Sequence, residues 1–131
     1  MLKIHEALYL DHTAQKGRGV FTMQDIAPMT VVEISSVLVL DRKARELLDQ
    51  TPLYNYIFEW GPDQDKQCCV AWGYVSMYNH SYRANCEYFM DFEEAVIRIQ
   101  TVRAIAAGTE LTINYNGDWN DEKKVWFEAS R

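Results

Sequence analysis

Residues 78–88 read YNHSYRANCEY. Asn79, His80, Ser81, Arg83, Asn85 and Cys86 are crowded between tyrosines at 78, 82 and 88. Polar residues at such density suit a loop, and a lone His is usually a hydrogen-bonded core residue. Three simple functional readings fail. Asn79-His80-Ser81 fits a glycosylation sequon, but nothing at the start of the chain reads as a secretory signal. Ser81 follows His80 directly, so their side chains diverge, and no G-x-S-x-G elbow exists for a hydrolase. His80 has no Cys or His at zinc-ligand spacing. The stretch therefore takes its meaning from what surrounds it.

Downstream, residues 86–102 read CEYFMDFEEAVIRIQTV, which predicts a hairpin. Its arms are Cys86 to Met90 and Ala95 to Val102, with a turn near residues 92–94. In the second arm Ile97, Ile99 and Thr101 alternate with Val96, Arg98 and Gln100, giving one apolar face. GTELTINYNG, residues 108–117, predicts a further strand, with Leu111 and Ile113 on one side, Tyr115 at its end and a turn at Asn116-Gly117. Upstream, Thr30 to Leu40 is too rich in Val and Ile for a helix. Asp41 suits the cap of a short helix with Ala44, Leu47 and Leu48 on one side, stopped before Pro52. YNYIFEW and QCCVAW read as an aromatic strand or irregular segment and a short strand. In QKGRGVF, residues 15–21, Gly17 and Gly19 flank an arginine ahead of a strand, as in a hairpin turn or a loop whose backbone approaches a ligand. No third Gly opens a helix, so it is not the dinucleotide fingerprint.

The 131 residues suffice for one domain and one core. A net charge of −6 argues against nucleic acid and favours a cationic partner such as a Lys-rich peptide. Cys68 and Cys69 are adjacent, too close for an ordinary disulfide, and with Cys86 make an odd count. Reduced thiols in a cytoplasmic setting are expected, with the host nucleus the alternative for a viral or exported protein. No apolar run reaches membrane length.

KGRGVF, NHSYRANC and GTELTINY, in that order, resemble the SET-domain family of protein lysine methyltransferases. The resemblance spans Gly17 to Tyr115 and is similar to the minimal members of bacteria and large viruses. It implies a mainly β, β-clip fold of several small sheets, one or two short helices and a knot-like crossing that joins the second and third motifs. It implies a single domain over residues 1–131, with a variable insert about 41–70 and a short aromatic tail about 116–131. It implies S-adenosylmethionine as methyl donor. Lys16, Gly17, Arg18 and Gly19 would hold its methionine part by backbone. Asn79 and His80 would bind it too, the His80 main chain reading the adenine edge, with Trp119 and Tyr115 beside it. Tyr115 matches the catalytic tyrosine, and Tyr88 the position that helps set the number of methyl groups, a Tyr there suggesting mono-methylation. Asn85 would be structural.

The chemistry suits these residues. The attacking lysine must be neutral, which from a pKa near 10.4 costs about 4.6 kcal/mol at pH 7. A sulfonium about 4 Å away repels the ammonium by roughly 4 kcal/mol at an effective dielectric of 20. A strong enzyme base is therefore not needed, and positioning is the main task. Aromatic walls suit a lysine stem and its cationic head.

Three departures from the family pattern stand out. Ala84 replaces the Pro of N-H-S-x-x-P-N-C. Tyr82 replaces a Cys that ligates zinc in many eukaryotic members, and the tail lacks Cys, so no metal is expected. Trp119, Trp126 and Phe127 are then the candidates to close the lysine channel or cap the core. The strand at Glu33 to Val37 lacks the site-lining Tyr of many members, for which Tyr54 or Tyr56 would substitute. The expected partner is a lysine-containing, basic protein such as a histone, and so short a chain would gain a completed channel from a homodimer. Two other readings remain at this point: a catalytically degenerate SET module that binds peptide or cofactor, and a small β-rich assembly domain whose aromatics form an interface.

Overall fold

A computed structural model describes residues 1–61, 65–116 and 122. Among these residues, ten strands form two sheets, and one short α-helix accompanies them. The organising strand is β4, Val31–Leu40, the β-branched run that cannot sit comfortably in a helix. Along one edge it pairs with β9, Val96–Thr101, which forms a hairpin with β8, Cys86–Asp91. Along the other it carries β1, Leu2–Ile4, and then β6, Gln67–Ala71, which in turn holds β5, Phe58–Trp60. The predicted hairpin arms are thus β8 and β9, and Ile97, Ile99 and Thr101 are fully buried, as their alternation requires.

The second sheet holds β2, Leu8–Thr13, β3, Gly17–Thr22, β10, Glu110–Ile113, and β7, Asn79–His80, in the order β2-β3-β10-β7. Its last pair is a parallel ladder, Thr112 opposite Asn79 and Ile113 opposite His80. Here β10 lies between two segments remote from it in sequence, which is how the second and third motifs meet. Leu111 and Ile113 are buried on the core face, and Thr112, on the opposite face, is covered as well by the Asn85 turn, its Oγ1 accepting from the Asn85 N–H at 3.3 Å.

Two local expectations change. Gly17 and Gly19 lie inside β3, not in a loop ahead of it, since the turn is already made by Thr13, whose Oγ1 accepts from the Lys16 N–H at 2.7 Å. The helix α1, Arg42–Leu48, is capped by Asp41, which accepts from the Ala44 N–H at 2.9 Å. Its apolar side does not enter the core: Leu47 is exposed, and α1 lies beside β6 and a 3-10 turn at Pro52–Asn55.

Candidate active site

Backbone pairing and side chains lock the two motifs together. The Ser81 N–H donates to the Ile113 carbonyl at 3.0 Å. Asn85 donates through Nδ2 to the Glu110 carbonyl at 2.8 Å and accepts at Oδ1 from the Thr112 N–H at 2.8 Å. An amide side chain carries both a donor and an acceptor, so Asn85 stands in for a missing rung between β10 and the turn. Past the end of β10 the chain is held by His80, whose Nδ1 accepts from the Tyr115 N–H at 3.1 Å. That bond requires Nδ1 to be unprotonated and puts the neutral ring's proton on Nε2. The Tyr115 ring lies 5.1 Å from the His80 ring, and its hydroxyl donates to the Tyr78 carbonyl at 2.9 Å.

Two cavities meet at this tyrosine. The larger, about 840 Å³, is walled by Lys16, Gly17, Arg18, Asn79, His80 and Tyr82. The smaller, about 480 Å³, is walled by Tyr54, Phe58, Tyr88 and Met90, with Arg45 and Glu59 at one end. Tyr115, Tyr56, Asn55 and Ser76 line both. Both volumes fall in the range of ligand pockets. Their walls differ in chemistry: the larger is basic and polar, the smaller aromatic.

Burial, followed by the nearby Glu110 carboxylate and Tyr56, pushes the Tyr115 phenol up to about 12. It is a neutral hydroxyl at pH 7, which gives its proton to the Tyr78 carbonyl and turns its oxygen lone pairs elsewhere. From the outer strand β7, Asn79 ties the two inner strands together, donating through Nδ2 to the Arg18 carbonyl at 3.0 Å and to Glu110 Oε2 at 2.8 Å. A side chain at Gly19 would collide with the Glu110 carboxylate and sit 2.9 Å from Asn79 Nδ2. Gly19 therefore serves this bridge and is not on the cavity wall, whereas Gly17 is on the wall, with φ +73° and open space where a Cβ would stand. Lys16 reaches across the larger cavity and donates through Nζ to the His80 carbonyl at 3.1 Å.

Residues 17–116 match the SET domain family. This chain is a SET-domain protein. It is 36% identical over 126 residues, 95% of this chain and 80% of the relative, to an H3 lysine-37-specific histone-lysine N-methyltransferase of Schizosaccharomyces pombe. A crystal structure of a Plasmodium falciparum protein shares the fold, with a TM-score of 0.65 at 22% identity, covering 90% of this chain and all of that one.

In this SET domain the sequence-predicted residues fall as follows. Lys16, Gly17, Arg18, Asn79 and His80 wall the larger cavity, Tyr88 the smaller, and Tyr115 both. Trp119, Trp126 and Phe127 lie outside the described residues. Tyr54 and Tyr56 both reach the smaller cavity. Tyr82 packs edge-on against His80 at 4.4 Å between rings. Among the described residues no group of three or more His, Cys, Asp or Glu is arranged to hold a metal ion. Where the family pattern has Pro, Ala84 is fully buried, and Arg103 holds the turn by donating to the Arg83 and Ala84 carbonyls at 2.8 and 2.9 Å.

Sequence reasoning missed Arg103, Glu110 and Glu33. Glu110 leads the third motif, and its place opposite Phe21 puts its carboxylate within reach of Asn79. Glu33 interrupts an apolar run, a signal that a carboxylate is buried. It accepts from Ser35 Oγ at 2.6 Å, the Tyr74 N–H at 2.8 Å and the Tyr78 hydroxyl at 2.9 Å. It thereby fixes the segment whose carbonyl takes the Tyr115 proton.

Proposed function

We propose that this lysine methyltransferase takes its methyl group from S-adenosylmethionine and places it on the ε-amine of a lysine in a basic, histone-like protein. The observation that carries the reading is the meeting of a basic-walled and an aromatic-walled cavity at Tyr115. The larger cavity suits the donor. Lys16 and Arg18 offer cations to a carboxylate, Gly17 leaves room for close approach, and His80 and Tyr82 offer ring surface. When bound, the donor supplies a methyl group on a sulfonium whose positive charge also disfavours a nearby ammonium.

The chain's own residues then have three tasks. Tyr54, Phe58 and Tyr88 give an apolar, aromatic wall to the lysine stem and its head. Tyr56 and Tyr115 narrow the passage between the cavities and keep water from the reacting atoms. Tyr115, neutral and anchored on the Tyr78 carbonyl, presents an acceptor oxygen to the amine. Among the described residues, those lining both cavities are Tyr115, Tyr56, Asn55 and Ser76. None is a carboxylate or an imidazole, in keeping with a reaction that uses a lysine already neutral rather than a strong base.

The S. pombe relative's specificity makes histone H3 tails the first substrates to try. Purified protein incubated with the donor and with core histones or tail peptides should add a methyl group to lysine, located by mass spectrometry. No incorporation into any basic protein, by folded material that binds the donor, would overturn the activity and leave a binding module.

A further inference from the structure

Ser76 borders both cavities, takes no part in the chemistry above, and makes a contact that reaches far along the chain. Its Oγ donates to the Tyr56 carbonyl at 2.7 Å, a bond between residues 20 apart. The two sides of that bond are unequal. Ser76 sits in a 3-10 turn, Val75–Met77, that is set into the core. Val75 and Tyr78 are each 1% exposed, and the Glu33 carboxylate holds both the Tyr74 N–H and the Tyr78 hydroxyl. Tyr56 instead follows the 3-10 turn Pro52–Asn55, which buries no residue, and Tyr54 and Tyr56 are both exposed. Among the described residues, the other hydrogen bonds of residues 52–56 stay within residues 51–56. A segment with few buried contacts and local hydrogen bonds opens readily. The Ser76 hydroxyl ties that exposed strap to the fixed turn.

We propose that Ser76 is a positioning residue whose hydroxyl pre-organises the strap at residues 52–57 as the shared wall of the donor and lysine cavities. This rests on the functional reading above and says how its two sites are held ready. Asn55 and Tyr56 border both cavities, and Tyr54 and Ile57 the smaller one, so either ligand rests on the strap. With the bond in place, the strap is ordered before either ligand arrives. Without it, the first ligand must order the strap, and the second finds it ordered. The two ligands then become coupled, by the same factor in both directions. The turn that carries Ser76 also leads to the Tyr78 carbonyl, which takes the Tyr115 hydroxyl. One fixed element thus sets Tyr56 and Tyr115, the two rings at the passage between the cavities.

The test uses S-adenosylhomocysteine, followed by calorimetry, and a fluorescent histone H3 lysine peptide, followed by anisotropy. Each is titrated alone and with the other saturating. In Ser76→Ala each ligand alone should bind about 2- to 10-fold more weakly, the range expected of one such hydrogen bond. The second ligand should bind as it does to the wild type, so the coupling factor should rise by the same 2- to 10-fold. A general loss of packing would weaken both binding steps alike. Ser76→Thr, which keeps the hydroxyl, should behave as the wild type. Hydrogen exchange at the amides of residues 54–57 should quicken in free Ser76→Ala and slow again when either ligand binds. An unchanged coupling factor in Ser76→Ala, equal weakening of the first and second steps, or Ala and Thr variants that behave alike, overturns the proposal. If the binding pattern holds but no methyl group is transferred, the role of Ser76 stands and the catalytic reading fails.

Discussion

Glu33 offers a deep test of how the fold supports the site. It is 1% exposed on β4 and gathers the Ser35 hydroxyl, the Tyr74 N–H and the Tyr78 hydroxyl. Burial raises its pKa above 4.5, with those hydrogen bonds opposing the rise. Glu33→Ala strands three buried donors at about 1–3 kcal/mol each. Relief of the carboxylate's own desolvation offsets several kcal/mol of that, leaving a net loss of roughly 3–5 kcal/mol. Against a typical domain stability of about 5–15 kcal/mol, that is a large fraction. Glu33→Gln keeps one oxygen for Ser35 and Tyr74, and the Tyr78 hydroxyl can rotate to accept from the amide, so it should cost about 1 kcal/mol.

The pH dependence separates the two ideas further. A carboxyl whose folded pKa is raised binds its proton more tightly when folded. Its contribution to stability is full below about pH 4.5 and is lost as pH rises through the folded value. The wild type's advantage over Glu33→Gln should therefore shrink as pH rises above 4.5. Urea unfolding followed by tryptophan fluorescence reads both effects. A Gln variant as unstable as the Ala variant, or a wild-type-to-Gln gap constant with pH, would refute the argument.

Other perturbations reach the site by different routes. Gly19→Ala forces Glu110 and Asn79 apart and should weaken S-adenosylmethionine binding several-fold in calorimetry while costing about 1–3 kcal/mol of stability. Arg103→Ala releases the carbonyls of Arg83 and Ala84 and should lower stability by about 1–3 kcal/mol and lower donor affinity, whereas adding Ala84→Pro should recover part of that affinity. Cys69 and Cys86, whose thiols burial pushes up to about 12, should resist a disulfide reagent at pH 8 in the folded protein and react on addition of urea.

Much of this architecture was legible in the sequence because its strands alternate or are β-branched. The β8–β9 hairpin and β4 follow from residue type alone, and motif order pointed to the family. What escaped depends on contacts between remote segments. The parallel pairing of β7 with β10 has no local signature: Asn79 and His80 make a two-residue strand that exists only because β10 arrives beside it. Arg103 reads as a surface cation until the turn at Arg83 and Ala84 is folded under it. The G-x-G stretch suggested a hairpin turn or a ligand-facing loop; the β2–β3 turn at residues 14–16 comes just before it, closed by Thr13 opposite Gly17, leaving both glycines in β3. Ala44, Leu47 and Leu48 share one side of the predicted helix, yet α1 lies beside β6 and the Pro52–Asn55 turn with Leu47 exposed. The cavity walls at Asn55 and Ser76 carry no chemistry that a sequence would reveal.

The central claim is that transfer occurs where the two cavities meet, at the Tyr115 hydroxyl. Tyr115→Phe removes that hydroxyl and its bond to the Tyr78 carbonyl while keeping the ring. Methyl incorporation into a histone peptide should fall by about 100-fold or more, with S-adenosylmethionine affinity, titrated by calorimetry, largely kept. Equal incorporation by wild type and Tyr115→Phe would contradict the account.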